Sequence, residues 1–309
     1  MEAPAVPMRV GTAGWAYEDW NAIVYPEKPG RGFDRLGLMA SLFDTNEINS
    51  TFYRIPDGRQ TADWARRAGG ANPQFRFTAK LFRGFTHEKE AGAGDEKAFR
   101  EAMRPLADAG RLGAVLAQFP FSFHATADNR GRLTAVLDRF AGLPLAVEFR
   151  HASWDTDDTA RLLSDRGATF VNIDQPDLRD NLPPTNRVTS PVAYYRFHGR
   201  NAPKWFGPDT SNEERYNYLY SDGELAPWLE RIRDGARRAA ERAEASSREG
   251  GAYAILNNHF RGQAVANALE LQLALGGRRR PAPDSMFEKY PALAKVADRA
   301  PGAGQRKLF

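Results

Sequence analysis

The fold class that this sequence predicts is a closed, TIM-barrel-like (β/α)8 barrel, and three observations predict it. Short runs rich in β-branched and aromatic residues alternate with helical periodicity along most of the 309 residues, the pattern of parallel strands joined by crossover helices. Eight such runs occur, a number that closes a parallel sheet instead of leaving it open. All five histidines stand just past the end of one of these runs, so polar chemistry gathers on one edge of the sheet. In parallel α/β proteins that edge is where ligands bind.

Taken in order, the first strand is expected at 8–13 and feeds Gly11-Thr-Ala-Gly14. That glycine pair lacks the third glycine and the lysine of a phosphate loop, so it reads as a tight βα turn. Further strands are expected at 45–50, 74–80, 113–119, 144–150, 169–174, 192–198 and 252–258. Helical patterns fall between them near 34–43, 58–69, 95–109, 128–141, 156–166, 224–248 and 262–276. The link from the sixth to the seventh strand, Pro176 to Pro191, is rich in Pro, Asp and Asn and reads as a loop. Residues 199–223 form a long insertion at the rim. The barrel domain is placed at 8–280, and 281–309 is expected to be a weakly packing tail.

Composition narrows the class. An apolar fraction of 42% supplies a core for one large domain. A net charge of +4 permits phosphate or nucleic-acid partners without demanding them, because Arg237, Arg238 and Arg242, like Arg278, Arg279 and Arg280, are expected to be solvated helix faces and ends. The chain has no cysteine, which excludes disulfides, thiolate nucleophiles and Cys-ligated zinc. It shows no signal-peptide pattern and no apolar run of the roughly 20 residues that span a bilayer, so the expectation is a cytoplasmic protein without membrane partners.

Strand alternation assigns faces. In Leu145-Ala-Val-Glu-Phe-Arg150, Leu145, Val147 and Phe149 suit packing under helices, and Ala146, Glu148 and Arg150 point to the barrel interior. Tyr194, Arg196 and His198 share a face, Glu47 is in phase with Asn49, and Lys80 with Thr78 and Arg76. Phe170, Asn172 and Asp174 oppose Val171 and Ile173, and Asp174 is expected to join the inward polar set. Buried polar groups need partners, so these residues should form a network at the mouth.

Several segments resemble the YecE-like family, also described as domain of unknown function 72. They are Val10-Gly-Thr-Ala-Gly-Trp15, Asn46-Glu-Ile-Asn-Ser-Thr-Phe-Tyr-Arg54, Phe75-Arg-Phe-Thr-Ala-Lys80, Val147-Glu-Phe-Arg-His-Ala-Ser-Trp154, Tyr195-Arg-Phe-His-Gly-Arg200 and Asn257-Asn-His-Phe260. The resemblance implies a TIM-barrel-like fold over residues 9 to about 276 and implies no settled activity.

Function must then come from the rim residues. Arg196, His198, Arg200, Asn257, Asn258, His259 and Arg261 follow the seventh and eighth strands, the usual anion corner of phosphate-using barrels, and Lys80 and Arg150 add cations. The leading expectation is an enzyme-like barrel for a phosphate-bearing small molecule or a nucleic-acid phosphodiester. Arg196, His198 and Asn258 would hold the anion, Glu47 and Glu148 would act as acid and base, and Asp174 would orient a partner. The competing structural reading has Arg150 and Arg196 merely neutralising Glu148 and Glu47. Glu47, Glu148, Asp174 and His198 are weak candidates for a divalent metal, since no His-x-His or His-Glu-x-x-His pattern accompanies them and many arginines compete. A glycosidase would need two carboxyls flanking one bond, and Glu47 and Glu148 come from strands two and five where the commonest barrel glycosidases use four and seven. Trp15, Tyr53 and Trp154, among many rim aromatics, could stack a base or sugar, the null being a loop-on-loop hydrophobic lid. Finally, Gln305-Arg-Lys-Leu-Phe309 resembles the peptide by which bacterial DNA-processing proteins dock on the sliding clamp, with Gln305, Leu308 and Phe309 as anchors. The rival readings are therefore a non-catalytic nucleic-acid-binding or clamp-associated adaptor, and a sugar-active enzyme.

Overall fold

The computed structural model describes residues 7–88, 90–207, 210–247 and 249–300. Eight parallel strands close in sequence order into one barrel, each neighbouring the next and the eighth returning to the first. They are β1 (Met8–Ala13), β2 (Thr45–Ile48), β3 (Arg76–Lys80), β4 (Leu112–Gln118), β5 (Leu145–Glu148), β6 (Thr169–Asp174), β7 (Val192–Phe197) and β8 (Gly251–Leu256). The outer ring comprises α1 (Arg35–Leu42), the single turn α2 (Ser50–Tyr53), α3 (Gly58–Ala71), α4 (Ala93–Asp108), α5 (Ala127–Arg139), α6 (Asp157–Asp165), α7 (Ala202–Trp205), α8 (Asn212–Arg215), α9 (Asp222–Ser246) and α10 (Gln263–Ala274). Every expected strand and long helix is present, with ends displaced by a few residues at most. None of the described helices is long and apolar enough to cross a membrane.

Helix starts follow local chemistry. Asp34, Asp57, Thr126 and Thr156 each accept a hydrogen bond from a backbone N–H in the first turn that the helix itself cannot satisfy. Gly14 turns the chain out of β1 at φ +79, a left-handed value that a side chain resists, and its N–H donates to the Glu47 carbonyl.

Register fixes what lines the barrel. Gln118 lies opposite Glu148, and Arg196 is flanked by Ile173 and Ile255. Parallel neighbours at one register level point the same way, so Val171, Ile173 and Gln175 face inward with Tyr194, Arg196 and His198. Asn172 and Asp174 therefore face outward with Tyr195 and Phe197, which corrects the expected inward Asp174. Alternation alone left the choice between faces open, and the apolar pair Val171 and Ile173 won the interior. Outward Asn172 has its own task. Its carbonyl accepts from the Thr185 hydroxyl and the Arg187 N–H, and its amide donates to the Arg187 carbonyl. These bonds pin the helix-free loop that connects β6 to β7.

Residues 281–300, expected to pack weakly, are part of the body. A short helix α11 (Asp284–Lys289) follows β9 (Pro281–Ala282), which pairs with β10 (Asp298–Arg299). Met286, Phe287 and Leu293 are buried in the same apolar cluster as Val24, Met39 and Val265. Ser285 donates to the Ile23 carbonyl and Tyr290 to the Arg261 carbonyl. The Pro- and Ala-rich composition concealed this because its few large apolar side chains are spread over many residues. Gln305, Leu308 and Phe309 lie outside the described residues.

Candidate functional site

The C-terminal mouth of the barrel opens into a cleft of about 880 Å³. Its inner wall is a ring of polar side chains from successive strand ends: Asn49 after β2, Lys80 closing β3, Gln118 closing β4, Arg150 after β5, Gln175 after β6 and Asn257 after β8. No carboxylate belongs to this ring. The acids lie one level deeper, where Arg196 bridges Glu47 at 2.6 Å and Glu148 at 2.5 Å, all three buried. Tyr194 donates to Glu47 from below at 3.0 Å.

Electrostatics follow from this layering. Burial alone would push the Glu148 carboxyl up, but the Arg150 and Arg196 guanidinium groups hold it well below the usual range. His198 is buried beside Arg150, and desolvation brings its pKa down to about 3. Its Nδ1 accepts from the Asn257 amide at 3.1 Å, and its Nε2 lies 3.4 Å from Glu148, a network that assigns the proton to Nε2. Arg150 is spent in part on Glu148, at 2.6 Å, and braced by Gln175. Lys80 differs from Arg150 and Arg196 beside it: among the described residues it makes no ion pair. Its Nζ donates to the Gln118 carbonyl oxygen at 3.2 Å and sits 4.3 Å from the Phe52 ring centre. Desolvation first, and then the Arg196 charge, bring the Lys80 pKa down to about 8.

The outer walls are aromatic. Tyr17 stacks on His259 with ring centres 4.4 Å apart, and Tyr216 leans on the other side of that imidazole. Trp205 and Phe206 come from the insertion after β7, and Phe121 meets Phe206 at 5.3 Å. Phe52 and Tyr53 come from α2, whose Thr51 hydroxyl donates to the Lys80 carbonyl at 2.6 Å and so fixes α2 against the end of β3. Tyr53 and Phe206 remain 64% and 56% exposed, each with only part of its ring covered by a neighbouring phenylalanine. Arg83 and Arg215 add charge at the lip, opposed by Glu18 and Asp19.

Of the expected ligand-binding residues, the structure brings Lys80, Arg150, Asn257, His259 and Tyr53 to the cleft. The others it places elsewhere. Arg196 is saturated by its two carboxylates and does not line the cleft, so it cannot serve as the anion clamp. Asn258 turns outward, donating to the Tyr218 carbonyl and to Asn267. Arg200 is engaged by Asp174 at 2.6 Å. Asp174 also accepts from Tyr220 at 2.7 Å and from the Trp228 indole at 2.6 Å, behind the sheet. Trp15 packs edge-on against Trp64, and Trp154 is sealed against Phe123 and Phe149. Trp154 belongs to the buried core and Trp15 is half-buried against it, so neither ring lines the cleft.

Glu47, Glu148 and His198 converge beneath the mouth, but Arg196 stands between the carboxylates and Asp174 faces away. Among the described residues no three His, Asp or Glu side chains are placed to hold a metal ion. Neither carboxylate is free to serve as acid or base. Sequence reasoning missed Gln175, Arg215 and Tyr216; Gln175, one residue beyond Asp174, could have been found by extending the Val171 and Ile173 face by one step.

Comparison with known proteins agrees with this architecture. A family profile described as protein of unknown function DUF72 matches residues 9–290. The UPF0759 protein YunF of Bacillus subtilis (strain 168) is 26% identical over 277 residues, which is 85% of this chain and 92% of that protein. A DUF72 family protein of Thermotoga maritima, solved by crystallography, is 35% identical with a TM-score of 0.71, over 87% of this chain and 99% of its own. Another from Enterococcus faecalis V583 is 27% identical with a TM-score of 0.72, over 87% and 95%.

Proposed function

Because this chain belongs to the DUF72 family, whose description carries no activity, we propose a function from the cleft: it binds a phosphate-bearing ligand, with Lys80 at the centre of the anion site. The observation that carries this is the pairing pattern. A cation held in a partly desolvated place without a carboxylate costs free energy, and an anionic ligand repays that cost on binding. Arg150 supplies a second, partly occupied guanidinium, and the amides of Asn49, Gln118 and Asn257 supply neutral donors.

The exposed rings of Tyr53 and Phe206 favour a ligand with a planar or sugar-bearing part beyond its phosphate. A nucleotide or the end of a nucleic-acid strand has that form. Glu47 and Glu148, the two carboxylates that a sugar-cleaving acid–base pair would have used, are locked by Arg196.

Calorimetric titration with inorganic phosphate, a mononucleotide and a short single-stranded oligonucleotide tests the reading. Lys80→Met should weaken binding of all three by about 10- to 100-fold, the worth of a charge-assisted hydrogen bond of roughly 1.5–3 kcal/mol. Arg237→Ala, which removes an exposed helix charge paired with Asp234 and Glu241, should leave binding unchanged. Equal losses from the two variants, or no binding by the wild type at millimolar ligand, would remove the anion site.

A further inference from the structure

We propose that Lys80 is a covalent site, its Nζ forming an imine with the carbonyl carbon of a small phosphorylated aldehyde or ketone held in the cleft. This rests on the reading of the cleft as an anion site and names the substrate class that site would take. Four features of the geometry point to it. Lys80 is the one lysine on the described walls of the cleft, and its tip is held by a neutral amide oxygen, that of Gln118 at 3.2 Å. An amide oxygen accepts from an ammonium and from a free amine alike, so it positions the nitrogen without fixing its proton; a carboxylate would favour the charged form. The Phe52 ring centre, 4.3 Å away, shields one side of the amine. Burial and the charges of Arg196 and Arg150 disfavour the ammonium form and outweigh the Glu47 and Glu148 carboxylates deeper in the barrel, which favour it.

Imine formation needs a neutral amine, and the same surroundings bring Lys80 to a pKa of about 8, so a useful fraction is free at neutral pH. The nitrogen lone pair attacks the carbonyl carbon, and the oxygen takes up the C=O electron pair and a proton. Loss of that hydroxyl as water, with departure of the nitrogen's last proton, leaves the C=N bond. Amine and carbonyl thus become imine and water with no change of oxidation state. His87 lines the same cleft as a neutral imidazole: its ring meets Phe52 at 4.9 Å, and burial lowers its pKa to about 4. It is placed to pass a proton between solvent and the carbinolamine. Arg150 and Arg83, on the same cleft and each in part engaged, by Glu148 and Glu88, are the groups for the phosphate.

The experiment is reductive trapping of the full chain. Pyridoxal phosphate and unphosphorylated pyridoxal serve as probes, borohydride as the reductant that fixes the imine, and peptide mass mapping as the readout. The expected result is rapid capture on Lys80 ahead of the chain's other seven lysines, with a rate that rises through pH 8. Lys80→Arg should abolish capture and keep inorganic-phosphate binding by calorimetry, since it retains the cation. Gln118→Glu should move the pH midpoint upward and slow capture at pH 7, each unit of pKa removing about tenfold of the free amine. That shift in pH profile is one that a purely structural Gln118 would not produce.

Labelling spread evenly over the surface lysines of the wild type overturns the proposal without any variant having to fold. The two readings fail separately. If pyridoxal labels Lys80 as fast as pyridoxal phosphate and phosphate gives no protection, the anion site is wrong and the reactive amine stands. If phosphate binds and Lys80 is not captured, the anion site stands and the imine does not.

Discussion

At the scale of single residues, the barrel interior turns on Arg196. Its guanidinium lies between Glu47 and Glu148 with 2% of its surface exposed, and burial, which opposes its charge, is overcome by the two carboxylates. Removing one member of such a set leaves buried charge without a partner, which costs about 3–5 kcal/mol. Arg196→Met should therefore lower the unfolding free energy measured in urea by that order, and adding Glu47→Gln and Glu148→Gln should recover a substantial part of the loss. No recovery in the triple variant would mean that the guanidinium acts through packing and not through charge. These inward positions were legible, because period-two alternation places Glu148 and Arg196 inside once their strands are recognised. Their partners were named by the structural reading, which set Arg150 and Arg196 against Glu148 and Glu47. What a single chain does not display is the stagger of distant strands that lets Arg196 reach both carboxylates at once.

At the scale of elements, strands and long helices were readable since each carries its own apolar period, and caps such as Asp57 and Thr126 mark their starts. What escaped was stabilised by contacts far along the chain. The loop between β6 and β7 has no period and is held by Asn172, whose outward placement alternation could not choose. Asn172→Ala would leave the Arg187 N–H and the Thr185 hydroxyl without their acceptor, costing about 1–3 kcal/mol. The loss should appear as faster proteolysis within 176–191 before the barrel unfolds. The α11 segment presents the same lesson with apolar side chains. Met286 is fully buried, so Met286→Ala should cost about 2–5 kcal/mol in chemical denaturation. A value near zero would place α11 loosely on the barrel, as its composition first implied.

At the scale of the whole molecule, the histidines that mark the rim in the sequence make it sensitive to acid. His198 is brought to a pKa of about 3, and His87 and His259 to about 4, in each case chiefly by burial and in the first two also by neighbouring cations. The unfolded chain would protonate all three near 6.5. Between those limits the unfolded state binds more protons than the native state, so stability falls as pH falls. The stabilising contribution is fully present above pH 6.5 and is lost as pH descends towards 4 and 3. Each imidazole contributes a slope of up to about 1.4 kcal/mol per pH unit within its window. Glu148, held low by Arg150 and Arg196, adds loss of the same sign at the acid end, where the unfolded carboxyl takes up its proton first. Lys80 acts at the opposite end: with its native pKa near 8 and an unfolded value near 10.5, its destabilising effect is complete below 8 and is relieved as pH rises through that interval. Urea denaturation at pH 7, 6 and 5 should therefore show a steep decline in stability, and His198→Asn, which keeps a neutral polar side chain, should flatten it. A stability that is level from pH 7 to 5 would mean that these imidazoles take up protons in the folded state, and the neutral form assigned to them would have to be redrawn.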